Sequence, residues 1–172
     1  MTYASTSGLS SITVLLVTLL VVDRDYRERG LAKGLLNQLK KDGVDLYGLM
    51  SSHPAACLAA AKAFGDSIST VQLEIISKYA RDIIEASPIN YVKDAKLCGN
   101  VFATSDISGL VSSVNSEFFV DHTEPLEAFA WAQEEMEWPL GDLLDGHEFL
   151  LILEARRRSR SRSTSRPGSS GT

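Results

Sequence analysis

The sequence predicts an α/β domain, and three observations carry that prediction. Residues 12–22 form an unbroken apolar run with four valines, one isoleucine and two threonines. That is the composition of a strand covered on both faces. A helical stripe follows, in which Leu31, Leu35 and Leu39 recur at helical spacing with Ala32 and Leu36 beside them. A second strand over residues 44–50 and an alanine-rich helix over 55–64 repeat the alternation. Strand–helix–strand–helix order implies a sheet with helices packed on it. The later strands could also pair antiparallel, so an α+β arrangement stays open.

The chain has 172 residues, 44% hydrophobic and 23% charged, enough for one domain with its own core. We divide it into a domain over residues 1–155 and an Arg/Ser-rich tail over 156–172, which is expected to be disordered. The net charge of −5 conceals an asymmetry. Six of the 17 basic residues are arginines of the tail, so 11 face 22 acidic residues in the body, a net −11. Phosphate would repel such a body, which argues against nucleic-acid binding. The tail could contact a polyanion, although a solvated tail is the plainer reading. Cys57 and Cys98 make no disulfide framework and fit a reducing compartment, cytoplasmic or nuclear. The eleven-residue run 12–22 is too short for a bilayer, which needs about 20 residues, so no membrane partner is expected.

The remaining elements follow in order. Residues 1–10 are small and polar and are expected to be poorly ordered. The strand over 12–22 leads into a charged loop, and Gly30 opens the first helix. Lys40 and Lys41 suit its C-terminus and Gly43 the residue beyond. Ser51 and Ser52, with Pro54 in the first turn, suit the start of the alanine-rich helix, and Gly65 its end. Ser69-Thr70-Val71-Gln72 fits a capping box, ahead of an amphipathic helix with Val71, Ile75, Ile76, Tyr79, Ala80, Ile83 and Ile84 on one face. A short strand is placed near 97–102 and a longer one over 110–120, with Val114, Phe118 and Val120 on one side. A helix over 125–137 and a final strand over 149–154 with alternating Phe149, Leu151 and Leu153 complete the chain.

The chemistry concentrates at the first strand-to-helix turn. The first amides of a helix have no internal partner and the helix dipole makes that end positive, so an anion is held there. Gly30 allows close approach to the backbone. Arg24, Arg27 and Arg29 oppose the dipole, a conflict that a bound pyrophosphate would relieve, but Asp23, Asp25 and Glu28 balance them in number. A mixed-charge surface loop with a glycine turn is the competing reading.

The run Leu20-Val21-Val22-Asp23-Arg24-Asp25-Tyr26-Arg27-Glu28-Arg29-Gly30-Leu31-Ala32-Lys33-Gly34-Leu35-Leu36 closely resembles the acetyl-CoA motif of the GNAT superfamily of N-acetyltransferases. Arg27, Gly30 and Ala32 stand where that motif has Arg or Gln, Gly, and Gly or Ala. The resemblance implies a mixed sheet flanked by helices and an acetyl-CoA-dependent acyltransferase acting on a small-molecule or peptide amine. It implies that Leu20, Val21 and Val22 pair with pantetheine on a strand splayed from its neighbour, residues 44–50. It implies that Arg27, Glu28, Arg29, Gly30, Leu31, Ala32, Lys33 and Gly34 surround the pyrophosphate. Beyond Gly65 the likeness is to fungal GNAT-like proteins only, through residues 121–128 and 138–149.

Two departures from the family pattern matter. Ala60 stands where the family often has the tyrosine that protonates the thiolate, and Tyr47 and Tyr79 are the substitutes to consider. The family also places several strands and two helices before the motif strand, whereas about eleven residues precede it here. This looks like a family member shortened at the N-terminus, with an unpaired edge on the motif strand that invites oligomerisation. The alternative function is therefore a degenerate, non-catalytic domain that binds CoA weakly or acts through protein partners. The catalytic acid and base stay unassigned. Asp121-His122-Thr123-Glu124 reads as a helix start capped by Thr123, His53 as a helix-entry residue, and His147 and Glu148 as a lead into the last strand. Trp131 and Trp138 read as packing, and no metal-ligand spacing occurs.

Overall fold

The structure, a computed structural model, describes residues 2–7, 10–27, 29–103 and 108–155. The tail over 156–172 lies outside the described residues. The fold class is α/β, as expected: a mixed six-stranded sheet flanked by helices.

The strands are β1 (Thr2–Ser7), β2 (Ser10–Val17), β3 (Leu46–Ser51), β4 (Lys96–Cys98), β5 (Ser113–Asn115) and β6 (His147–Glu154). Their order is β1-β2-β3-β6-β5-β4. The β2–β3 pair is parallel and every other pairing is antiparallel. A parallel pair needs a crossover, which helix α1 (Leu31–Gln38) supplies. Val14, Leu15, Leu16 and Val17 are all buried, as are Leu46 to Met50 and Glu148 to Ile152. These three adjacent strands are covered on both faces, which explains their continuous apolar runs. The alternation expected in the last strand is therefore absent, and its neighbouring positions are buried too.

Side-chain alternation assigns the layers. Tyr47 stacks on Phe64 of helix α2 (Pro54–Phe64), centroids 4.2 Å apart. The Tyr47 face therefore carries α2, with α1 packed beside it. Small side chains on α2 (Ala56, Cys57, Ala60, Ala61 and Ala63) are buried there and let the helix approach the sheet closely. On the opposite face Gly48 lies against Leu16, where a Cβ would come within 2.7 Å of the Leu16 Cδ1. Helix α3 (Leu73–Glu85) packs on β6 with Ile76, Ala80, Ile83 and Ile84 buried, the stripe predicted for it. The short α4 (Asn90–Lys93) leads to β4. Helix α5 (Thr123–Glu135) contacts α2, and its Phe129 joins Trp138 and Phe149 in an aromatic cluster with centroids 5.1–5.7 Å apart.

Several expectations are corrected. Residues 2–7 form a strand, so β1 covers the edge of β2 that the sequence left bare. The run 12–22 is strand only to Val17. Ser69 to Gln72 make no capping box: residues Ile68–Thr70 form a 3-10 turn and Gln72 precedes α3 without a side-chain cap. The strand expected over 110–120 shrinks to β5, because Phe118, Phe119 and Val120 lie exposed beyond it. Of the α1 stripe only Leu36 is buried, whereas Leu31, Leu35 and Leu39 face outward. Among the described residues no helix is long and apolar enough to cross a membrane.

Candidate functional site

The parallel pair opens at one end. β2 and β3 are in register from Val14 opposite Leu46 to Val17 opposite Leu49. β3 then continues through Met50 and Ser51, held by Leu150 and Phe149 of β6. After Val17 the continuation of β2 leaves the sheet. Its departing segment is pinned at two points: the Tyr91 hydroxyl donates to the Thr18 carbonyl (3.3 Å), and Arg27 Nε donates to the Val22 carbonyl (2.9 Å). Between the pins, the main chain of Leu19, Leu20 and Val21 has no hydrogen-bond partner among the described residues. Leu19 and Val21 are 72% and 71% exposed. Unpaired peptide groups on an extended segment can take up a ligand's amides as a strand would. The opening lies at the carboxyl ends of the parallel strands, the usual ligand side of an open α/β sheet.

The loop that follows is organised by its own short-range bonds. The Asp23 carboxylate accepts from the Asp25 amide (2.9 Å) and starts a 3-10 turn, Arg24–Tyr26. The Arg29 guanidinium lies 5.4 Å from the Tyr26 ring centroid. Gly30 precedes α1 with φ +73°, a left-handed conformation that other residues adopt only under strain. A Cβ added there would meet nothing within 4 Å. Among the described residues no side chain caps α1. The amides of Leu31, Ala32 and Lys33 have no acceptor among the described residues, whereas the Gly34 amide is bonded to the Gly30 carbonyl (2.9 Å). Three outward amides behind an open glycine make an anion cradle.

Leu20, Val21 and Val22 belong to the released segment, with Leu20 partly packed on the core. Arg29, Gly30, Leu31, Ala32 and Lys33 stand around the cradle, while the Gly34 amide is spent inside the helix. Glu28 lies outside the described residues. Arg27 is committed to protein contacts: besides Val22 it forms an ion pair with Glu124 at the start of α5. It ties the released segment to the body of the domain.

The tyrosine substitutes do not reach this opening. Tyr47 lies near the start of β3, the opposite end of the strand, and its hydroxyl is bonded to the Lys41 main chain in the loop before it. Tyr79 is a partly buried residue of α3 with the Lys78 ammonium 4.6 Å from its ring. Tyr91, which no motif marked, is the tyrosine that touches the released segment. Ala60 is buried against the core.

His53 does more than enter a helix. Its Nδ1 accepts from the Ala55 amide (3.1 Å) and caps α2, and its own amide donates to the Ser51 hydroxyl (3.1 Å). The cap is therefore His53 where the sequence suggested serine. Burial, and then the Arg27 charge, hold its pKa below the ordinary imidazole value. Glu148 is a second surprise, only 4% exposed, with the Ser116 hydroxyl donating to its carboxylate at 2.7 Å. Burial raises its pKa against the opposing effect of that bond. The signal was present as an acid directly ahead of four buried residues, Phe149 to Ile152, but sequence cannot tell such a residue from an exposed strand end.

The Asp121 to Glu124 cluster is a helix start, as expected, although the carboxylate of Asp121 does the capping by accepting from the Thr123 amide (2.9 Å) and hydroxyl (2.6 Å). His122 Nδ1 lies 3.9 Å from an Asp145 oxygen. Its buried Nε2 and the Trp138 Nε1 lack partners among the described residues. Cys57 is wholly buried and its thiol pKa is driven far up by desolvation, which makes it inert. No group of three metal-ligating side chains occurs among the described residues.

No protein-family model matches the chain, and no curated protein and no solved structure shows a significant likeness to it.

Proposed function

We propose that the chain is an acetyl-CoA-dependent N-acetyltransferase that acylates a small-molecule or peptide amine at the mouth between β2 and β3. One observation carries this reading. An extended segment, Leu19 to Val21, whose peptide groups have no partner among the described residues, leads through the loop with the 3-10 turn to a helix start behind an open glycine, with no side-chain cap among the described residues. CoA joins an amide-bearing arm to a pyrophosphate, and these two features lie in that order along the chain. Leu20, Val21 and Val22 suit the arm, and the amides of Leu31, Ala32 and Lys33 suit the pyrophosphate, with Arg29 and Lys33 adding positive charge beside it. The thioester would supply an activated acyl group. Tyr91 and Arg27 hold the segment extended for it by their bonds to Thr18 and Val22.

A second reading, a domain that binds CoA without turning it over, is favoured by Ala60, which puts a methyl group where the family's acid often stands. Cytoplasmic or nuclear residence fits both readings, as does self-association through β1, now the sheet edge. The acidic body disfavours nucleic acid, and the tail is the element suited to a polyanion. The test is release of free thiol from acetyl-CoA in the presence of a panel of amines. Amine-dependent release supports the enzyme. CoA binding with no release from any amine supports the second reading.

A further inference from the structure

We infer that His53 is a neutral hydrogen-bond donor of this same site, presenting its Nε2–H to the carbonyl oxygen of the bound thioester. The inference rests on the acetyl-CoA reading and deepens it. His53 lies two residues beyond Ser51, the last residue of β3, and so stands at the end of the sheet where β2 and β3 part. Its ring is held through Nδ1. Nδ1 accepts from the Ala55 amide at 3.1 Å, so that nitrogen carries no proton and its lone pair is occupied. In the neutral ring the proton is then on Nε2. The main chain is fixed as well, by the bond from the His53 amide to the Ser51 hydroxyl.

The neighbourhood keeps the ring neutral. Half-burial disfavours the imidazolium, and Arg27, whose guanidinium also holds the Val22 carbonyl, adds a repelling charge. Glu124 is already paired with that guanidinium. Protonating Nδ1 would also break the cap of α2. A ring with its basic nitrogen spent cannot serve as a general base. It can donate from a fixed position without giving up its proton, which is what a carbonyl oxygen gathering negative charge requires. No bond to hydrogen forms or breaks at His53.

The test compares CoA with acetyl-CoA, which differ by the acetyl group that carries that carbonyl, using calorimetric titration of the full chain and of His53→Ser. Serine keeps a side-chain acceptor for the helix cap but has no donor at the reach of Nε2. The wild type should bind acetyl-CoA about three- to tenfold more tightly than CoA, the ratio one hydrogen bond confers. His53→Ser should abolish that preference and leave CoA affinity in place. Nitrogen NMR of the wild type supplies a readout that needs no variant: His53 should be the Nε2–H tautomer, and that proton should shift with acetyl-CoA and not with CoA. A preference that survives the substitution, or an Nδ1–H tautomer, overturns the role of His53 while leaving the cofactor site standing. Failure of the wild type to bind CoA at all overturns both.

Discussion

Two halves of one apolar run meet opposite fates. Residues 14–17 are buried in the middle of the sheet, while Leu19 and Val21, of the same chemical character, are largely exposed two residues later. The difference lies in the backbone. The first half is paired with β3 and covered on both faces, and the second has left its partner while β3 continues along β6. Hydrophobicity alone thus does not decide burial. A strand that stops pairing before its apolar run ends leaves peptide groups with no protein partner among the described residues beside apolar side chains, a combination suited to a ligand with amides and a hydrocarbon arm.

That contrast can be broken or sharpened by substitution. Leu16→Ala, in the buried half, should cost about 3 kcal/mol in denaturant unfolding, the cost of a core cavity. Gly48→Ala should cost about 1–3 kcal/mol, because its methyl group would press on Leu16. Arg27→Ala should cost about 1 kcal/mol, with faster exchange confined to the bonded amides of Asp25, Tyr26 and Arg27, since the pin at Val22 is lost. If exchange accelerates equally in β3, the segment is not an independent unit. Leu19→Ser or Val21→Ser should change stability by less than about 0.5 kcal/mol. A loss as large as that of Leu16→Ala would mean the second half is core after all.

Two titratable groups near this end of the sheet, the half-buried His53 and the buried Glu148, should pull on stability in opposite directions. His53 has a depressed pKa, so the unfolded chain takes up its proton first. Stability therefore falls as pH drops below the ordinary value of 6.5 toward the folded one. Glu148 has a raised pKa, so the folded chain holds its proton longer. Its contribution is present at acid pH and is lost as pH rises from 4.5 through the raised value. His53→Ser should flatten the first slope and Glu148→Gln the second in thermal melts across pH. An unchanged profile in either variant would show that the group is solvated.

The sheet-and-helix alternation was legible because buried strands and amphipathic helices carry period and composition directly: residues 14–17, the β3 and β6 cores, and the Ile76, Ala80, Ile83 and Ile84 face could be read. The cradle was legible too, since a glycine ahead of a helix is a local signal. What could not be read depends on partners distant in sequence. Pairing with β1 and release from β3 decide where β2 begins and ends. Glu124 decides what Arg27 does, and α2 decides that only Leu36 of the α1 stripe is covered. The His53 cap escaped because imidazole is an uncommon cap, chosen here by the turn that Ser51 sets up.

The central claim is that the released segment and the helix start behind Gly30 form one CoA site. Its most direct test is titration of CoA into the wild type and into Gly30→Glu. The substitution places a carboxylate at the mouth of the cradle, and its left-handed backbone should cost about 1 kcal/mol, so circular dichroism must first show the variant folded. Binding by the wild type that the folded variant has lost is the expected result. Equal binding by both, or none by a well-folded wild type, would contradict the site.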